Sequence, residues 1–145
     1  MRYVDTSVIV KLYVRETRSG EAATLVTSGH EAIPLTLFHQ LEFANALRLK
    51  QFRGEADPGQ IRRIFDRLQT HLDRGVYFCP ELDWHEALRQ AEHLSQTHTR
   101  RIGTRTLDLV HVASAMVMGA NRFLTFDERQ RNRLVAGCHK GCGLP

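Results

Sequence analysis

The chain has 145 residues, about one domain's length, and its 42% hydrophobic and 25% charged residues exclude a disordered segment. Three cysteines, Cys79, Cys138 and Cys142, are too few for a disulfide scaffold and point to a reducing interior. The net charge of +4 is placed unevenly: up to residue 97, 12 Lys and Arg stand against 13 Asp and Glu, and from residue 98 onward 8 stand against 3. Seventeen of the 20 basic residues are Arg, whose planar guanidinium suits bidentate phosphate contacts. An acidic polymer is one partner for such a surface; plain solvation is the other reading.

In chain order, Tyr3-Val4 reads as a short buried strand closed by Asp5-Thr6-Ser7, with a helix from Val8 to Val14 behind it. The charges of Met1-Arg2-Tyr3-Val4-Asp5 do not suit a signal peptide, and no later apolar run reaches membrane-spanning length. A cytoplasmic protein without membrane contact is expected. Glu21 to Ser28 reads as helix, and Ala32-Ile33-Pro34-Leu35 as an extended piece whose Pro forbids a central ladder position. Thr36 offers an N-cap for a helix to about Phe52, and Gly54 to Gly59 reads as a loop.

Ile61, Ile64, Phe65, Leu68 and Leu72 recur at helical spacing up to Gly75, and Val76 to Cys79 is the next strand, stopped by Pro80. Asp83 caps a helix carrying Ala87, Leu88, Ala91 and Leu94, followed by a polar segment from Ser95 to Arg105. Leu107 to Met118 is apolar on nearly every face, which predicts a buried helix with Thr106 as its cap and Gly119 as its end. Arg122 to Phe126 is a strand, and Asp127 caps an Arg-rich helix to about Val135. Short apolar strands alternating with helices predict one α/β domain over 1–145, with a mostly parallel sheet of four to five strands covered on both faces.

Asp5 and Asp127 each follow a strand and precede a helix, at the carboxyl end of parallel strands where open α/β sheets bind ligands. Either is also an ordinary N-cap. Asp108 lies near the start of the buried helix, where an unpaired carboxylate costs several kcal/mol; placement in the first turn also favours the helix dipole. Glu42 lies between Leu41 and Phe43, as a ligand or as a solvated or Arg-paired acid. Together the four offer the oxygen donors that Mg²⁺ or Mn²⁺ needs, and they are expected to converge. Thr6 and Ser7 add hydroxyls, Asn45 lies one turn from Glu42, and His111 one turn after Asp108 is either a proton carrier, a phosphate contact or a hydrogen-bonded core histidine. His98, Arg100, Arg101 and Arg105 upstream of Asp108, and Arg129, Arg131 and Arg133 downstream of Asp127, are placed to track the phosphates of an acidic polymer.

Val4-Asp5-Thr6-Ser7-Val8, Leu41-Glu42, the run Thr106 to Ala115 and Phe123 to Gln130, in this order and spacing, resemble the PIN domain, particularly VapC-type toxins of prokaryotic toxin-antitoxin pairs. The resemblance spans nearly the whole chain. It implies a PIN-like three-layer α/β/α sandwich, a Mg²⁺- or Mn²⁺-dependent endoribonuclease, a cognate VapB-like antitoxin and a homodimer. By position it makes Asp5, Glu42, Asp108 and Asp127 the acidic residues and Thr6 or Ser7 the hydroxyl. The end of the chain departs from the pattern, because Leu134 to Gly143 is too Gly-rich for a final strand. Cys138, His139 and Cys142 lack a fourth ligand for zinc and read as an unstructured tail.

Two rivals remain. A phosphatase or receiver domain would use Asp5 as a nucleophile, but Asp5-Thr6-Ser7 has no second acid two residues on. A catalytically silent RNA- or protein-binding module would have no need of all four acids.

Overall fold

Arg2–Val4 forms β1, and the chain turns at once into α1, Thr6–Tyr13, whose Val8, Ile9 and Val10 are buried. The computed structural model describes residues 1–29 and 31–126. Helix α2, Ser19–Thr27, precedes β2, Ile33–Pro34. Thr36 caps α3, Leu37–Phe52, through a capping box in which its hydroxyl accepts from the His39 backbone and the His39 side chain closes back on Thr36. The same device starts α4, Pro58–Asp73, where Asp57 and Gln60 cap each other and Pro58 opens the first turn. Asp57-Pro58, read from the sequence as loop, is therefore a helix start.

Tyr77–Phe78 is β3, and Asp83 caps α5, Trp84–Leu94, by accepting from the Glu86 backbone. The polar segment after it is helical: a π-helical stretch, Ser95–Thr99, runs into α6, Arg100–Ile102, and stops at Gly103 with a left-handed φ of 65°. Polarity gave no apolar period to read there, while the lack of Gly or Pro before Gly103 lets the helix continue. Helix α7 spans Thr106–Val117, with every residue from Leu109 to Ala115 buried, and Gly119 at φ 65° closes it. Thr106 is not its cap. Arg105 holds that position without a side-chain bond, since a guanidinium has no acceptor for the free helix N–H groups. Finally β4 is Arg122–Leu124.

The described residues divide into two compact units, Met1–Asp5 with those from Glu81 onward, and Thr6–Pro80. In the first, β1 pairs in parallel with β4, Tyr3 opposite Phe123 and Val4 opposite Leu124, and α5 packs on α7. In the second, β2 pairs in parallel with β3, and α1 packs against α2 and α3. Pro34 is tolerated because the bonds to β3 come from Ile33 and Leu35, whose N–H groups donate to Val76 and Phe78 at 3.0 and 2.8 Å. Among the described residues there are thus four strands, in two parallel pairs. Fully buried Phe43 and Leu47 anchor the second unit, each worth roughly 1.5–3 kcal/mol of apolar transfer. The helix expected after Asp127 and the Gly-rich end lie outside the described residues.

Candidate active site

In the first unit the parallel pairing carries Asp5 to the end of β1, where its N–H donates to the Leu124 carbonyl at 2.9 Å. Its side chain is only 7% exposed. Thr125 Oγ1 donates to Asp5 Oδ2 at 2.9 Å, and His111 Nε2 stands 3.5 Å from Asp5 Oδ1. The far side of the same ring, Nδ1, lies 2.9 Å from the Tyr3 hydroxyl. Tyr3 in turn stacks on Phe123 at 5.3 Å between ring centroids and meets His111 edge-on at 5.8 Å. Strand, helix and the residue after β4 therefore all supply groups around one carboxylate. Asp108 is half-buried in the first turn of α7, three residues before His111 and so on the same helix face.

In the second unit, buried Thr6 at the start of α1 donates through Oγ1 to Glu42 Oε2 at 2.7 Å. Glu42 is half-buried on α3, and Ser7 and Asn45 are exposed. This hydroxyl–acid pair joins two residues singled out from the sequence. Arg100, Arg101 and Arg105 are exposed on and after α6, and His98 is half-buried in the π-helical stretch. Asp127 and Arg129 lie outside the described residues.

The donor set fits a hard divalent cation in type: carboxylate oxygens, with hydroxyls and an imidazole to orient them. Among the described residues, no group of three His, Cys, Asp or Glu side chains is gathered closely enough to enclose an ion. Sequence reasoning did not find Tyr3 or Thr125. Thr125 falls in the stretch that the sequence reads as an apolar strand, one residue past the end of β4, and Tyr3 reads as core; each meets its partner across more than a hundred residues.

The second unit also holds a network of a different kind. Glu16 takes hydrogen bonds from Lys11 at 2.9 Å and from Lys50, which also pairs with Glu55 at 3.3 Å. Burial works to raise the Glu16 carboxyl, but the bonds from Lys50 and Lys11 outweigh it and hold the group below its usual range. Its grip on Glu16 raises Lys50. Beside it opens a groove of about 510 Å³, lined by Tyr13, Arg15, Lys50, Gln60, Arg63 and Arg67 among others. Burial pushes the Tyr13 hydroxyl well up; it lies 2.6 Å from His71 Nδ1, and the Arg67 guanidinium sits over its ring at 4.5 Å.

Compared with known proteins, residues 2–133 match the profile of the PIN domain family. Ribonuclease VapC46 of Mycobacterium tuberculosis is 30% identical over 132 residues, 90% of this chain and 87% of that protein. The crystal structure of Mycobacterium tuberculosis VapC20, described as a sarcin-ricin loop cleaving toxin, superposes with a TM-score of 0.68 at 16% identity, over 91% of this chain and 94% of that one. At that identity the likeness shows the fold alone.

Proposed function

The chain belongs to the PIN domain family, in its VapC-type branch, and from that premise we propose that it is a divalent-metal-dependent endoribonuclease and the toxin of a toxin-antitoxin pair. The observation that carries this reading is the buried Asp5 carboxylate at the end of a parallel strand, braced by Thr125 and faced by His111. Burying a carboxylate is costly, and a cation-binding role justifies a position that an apolar residue would fill more cheaply. Asp5 and Asp108 are the direct ligands in this proposal, with Glu42 and Asp127 completing the acidic set.

When bound, Mg²⁺ or Mn²⁺ supplies Lewis-acid activation of water and neutralises charge on the phosphodiester oxygens. Thr125 holds one Asp5 oxygen, and Thr6 orients Glu42 through one hydroxyl bond, leaving Glu42 in reach of solvent to accept the proton of the attacking water. Exposed Arg100, Arg101 and Arg105, with Arg129 downstream of Asp127 in sequence, are the RNA-phosphate contacts in this proposal. A VapB-like antitoxin as inhibitor, a homodimer, and a cytoplasmic setting follow from the same family reading. No helix among the described residues is long and apolar enough to cross a membrane.

The test incubates the purified chain with RNA in Mn²⁺ or in EDTA, alongside Asp108→Asn. Cleavage is expected in Mn²⁺ alone, with the variant at background. Cleavage that persists through chelation or substitution would sink the metal reading, and RNA binding without cleavage, indifferent to metal, would favour a catalytically silent module.

A further inference from the structure

The acids account for the cation but not for the chain of groups behind Asp5. Tyr3 is 0% exposed and His111 is 2% exposed. A hydroxyl and an imidazole are costly in a core unless each is bonded, and Phe and Leu would pack there without that cost. Here the two polar groups are wired in series: Tyr3 hydroxyl to His111 Nδ1 at 2.9 Å, then His111 Nε2 to Asp5 Oδ1 at 3.5 Å. Both polar side chains of this core are thereby linked to the carboxylate.

We propose that Tyr3 and His111 are positioning residues for Asp5, the ring N–H fixing the carboxylate for the cation and the tyrosine hydroxyl anchoring the far nitrogen of the ring; this rests on the metal reading of Asp5. The reasoning is one of donor and acceptor balance. A carboxylate oxygen only accepts, so the nitrogen facing it must carry the hydrogen. In the neutral ring Nδ1 is then an acceptor, and the Tyr3 hydroxyl donates to it. Thr125 donates to the other oxygen at 2.9 Å, so the two supports flank the carboxylate and restrict its rotation. At 3.5 Å the imidazole contact is longer than a full hydrogen bond, so it orients the carboxylate chiefly through its dipole. Groups that orient a ligating carboxylate from behind typically carry 10–100-fold in metal affinity.

Two measurements decide it. In the metal-free protein, ¹⁵N NMR of the His111 ring should show the Nε2–H tautomer, and Asp5→Asn, whose amide can also donate, should convert it to a mixture. Mn²⁺ binding, read from the free-ion EPR signal, should then weaken about tenfold in Tyr3→Phe and about 10–100-fold in His111→Leu. His111→Gln, which keeps an N–H at similar reach, should recover part of the loss. Thermal melts in EDTA check folding, and Tyr3→Phe, which removes a single oxygen, carries the test if His111→Leu fails to fold. A wild-type ring with Nδ1–H, or unchanged Mn²⁺ affinity in Tyr3→Phe, would overturn the proposal. Absence of Mn²⁺ binding by the wild-type chain would instead defeat the metal reading, and the tautomer would still judge the Tyr3–His111–Asp5 relation.

Discussion

Asp5 and Glu16 are both acids withdrawn from water, and the two units treat them differently. Glu16 is gripped by Lys11 and Lys50, and with Glu55 the network holds two acids and two lysines, balanced in charge. Asp5 is braced by a hydroxyl and faced by an imidazole, with a second acid, Asp108, on the same helix face as that imidazole. A balanced network responds to protons and salt; a centre built from acids and orienting groups responds to a cation. Burial alone does not distinguish a structural acid from a ligand. The chemistry of the neighbours does.

The largest expected effect separates the two through linkage. An ion that binds only the folded chain stabilises it by about 2.7 kcal/mol at a concentration of 100 times its Kd. Melts with and without Mn²⁺ should show this gain in the wild-type chain and in Glu16→Gln, but not in Asp5→Asn. Loss of the gain in Glu16→Gln would dissolve the distinction between the units.

Removing the Glu16 charge has a smaller effect with its own pH signature. Glu16→Gln strands the half-buried Lys11 ammonium and leaves Lys50 to Glu55 alone, at a cost of about 1–2 kcal/mol at pH 7, between the values for surface and buried pairs. Because the native carboxyl lies below its usual 4.5, the folded chain stays ionised while the unfolded chain takes up protons. The stability it contributes is therefore complete above about pH 4.5 and lost as pH falls through the native value. Urea midpoints at pH 7 and pH 3 should show the deficit of Glu16→Gln shrinking in acid; a deficit independent of pH would mean that the cost is one of packing.

What could be read beforehand follows from the range of the interactions. Thr36, Asp83 and Gly119 act on backbone within a few residues, and their roles as caps and stops are visible as local chemistry. Tyr3-Val4 and Asp5 were equally legible, because a strand-end acid before a helix is a local pattern. Tyr3 as the partner of His111, Thr125 as the partner of Asp5, and Lys50 as the partner of Glu16 are set by packing across 34 to 120 residues, and no spacing announces them. Asp57-Pro58 carried a usable local signal, a cap followed by Pro at the first helical position, which the glycines on either side obscured. The π-helical stretch carried none.

The smallest effect has the opposite sign. Ser114 is fully buried on α7, three residues after His111, and its hydroxyl has no hydrogen-bond partner among the described residues. An unbonded buried hydroxyl costs free energy, and alanine removes it with little change in volume and a better helix propensity. Ser114→Ala should therefore stabilise the first unit by about 1 kcal/mol, read as a raised urea midpoint with an unchanged slope. Tyr3→Phe removes a hydroxyl from the same unit and should instead weaken Mn²⁺ binding, so the pair asks whether a buried oxygen is kept for the carboxylate or merely tolerated. Destabilisation by Ser114→Ala would show that this hydroxyl is bonded too, and that the polar wiring behind Asp5 extends a further turn along α7.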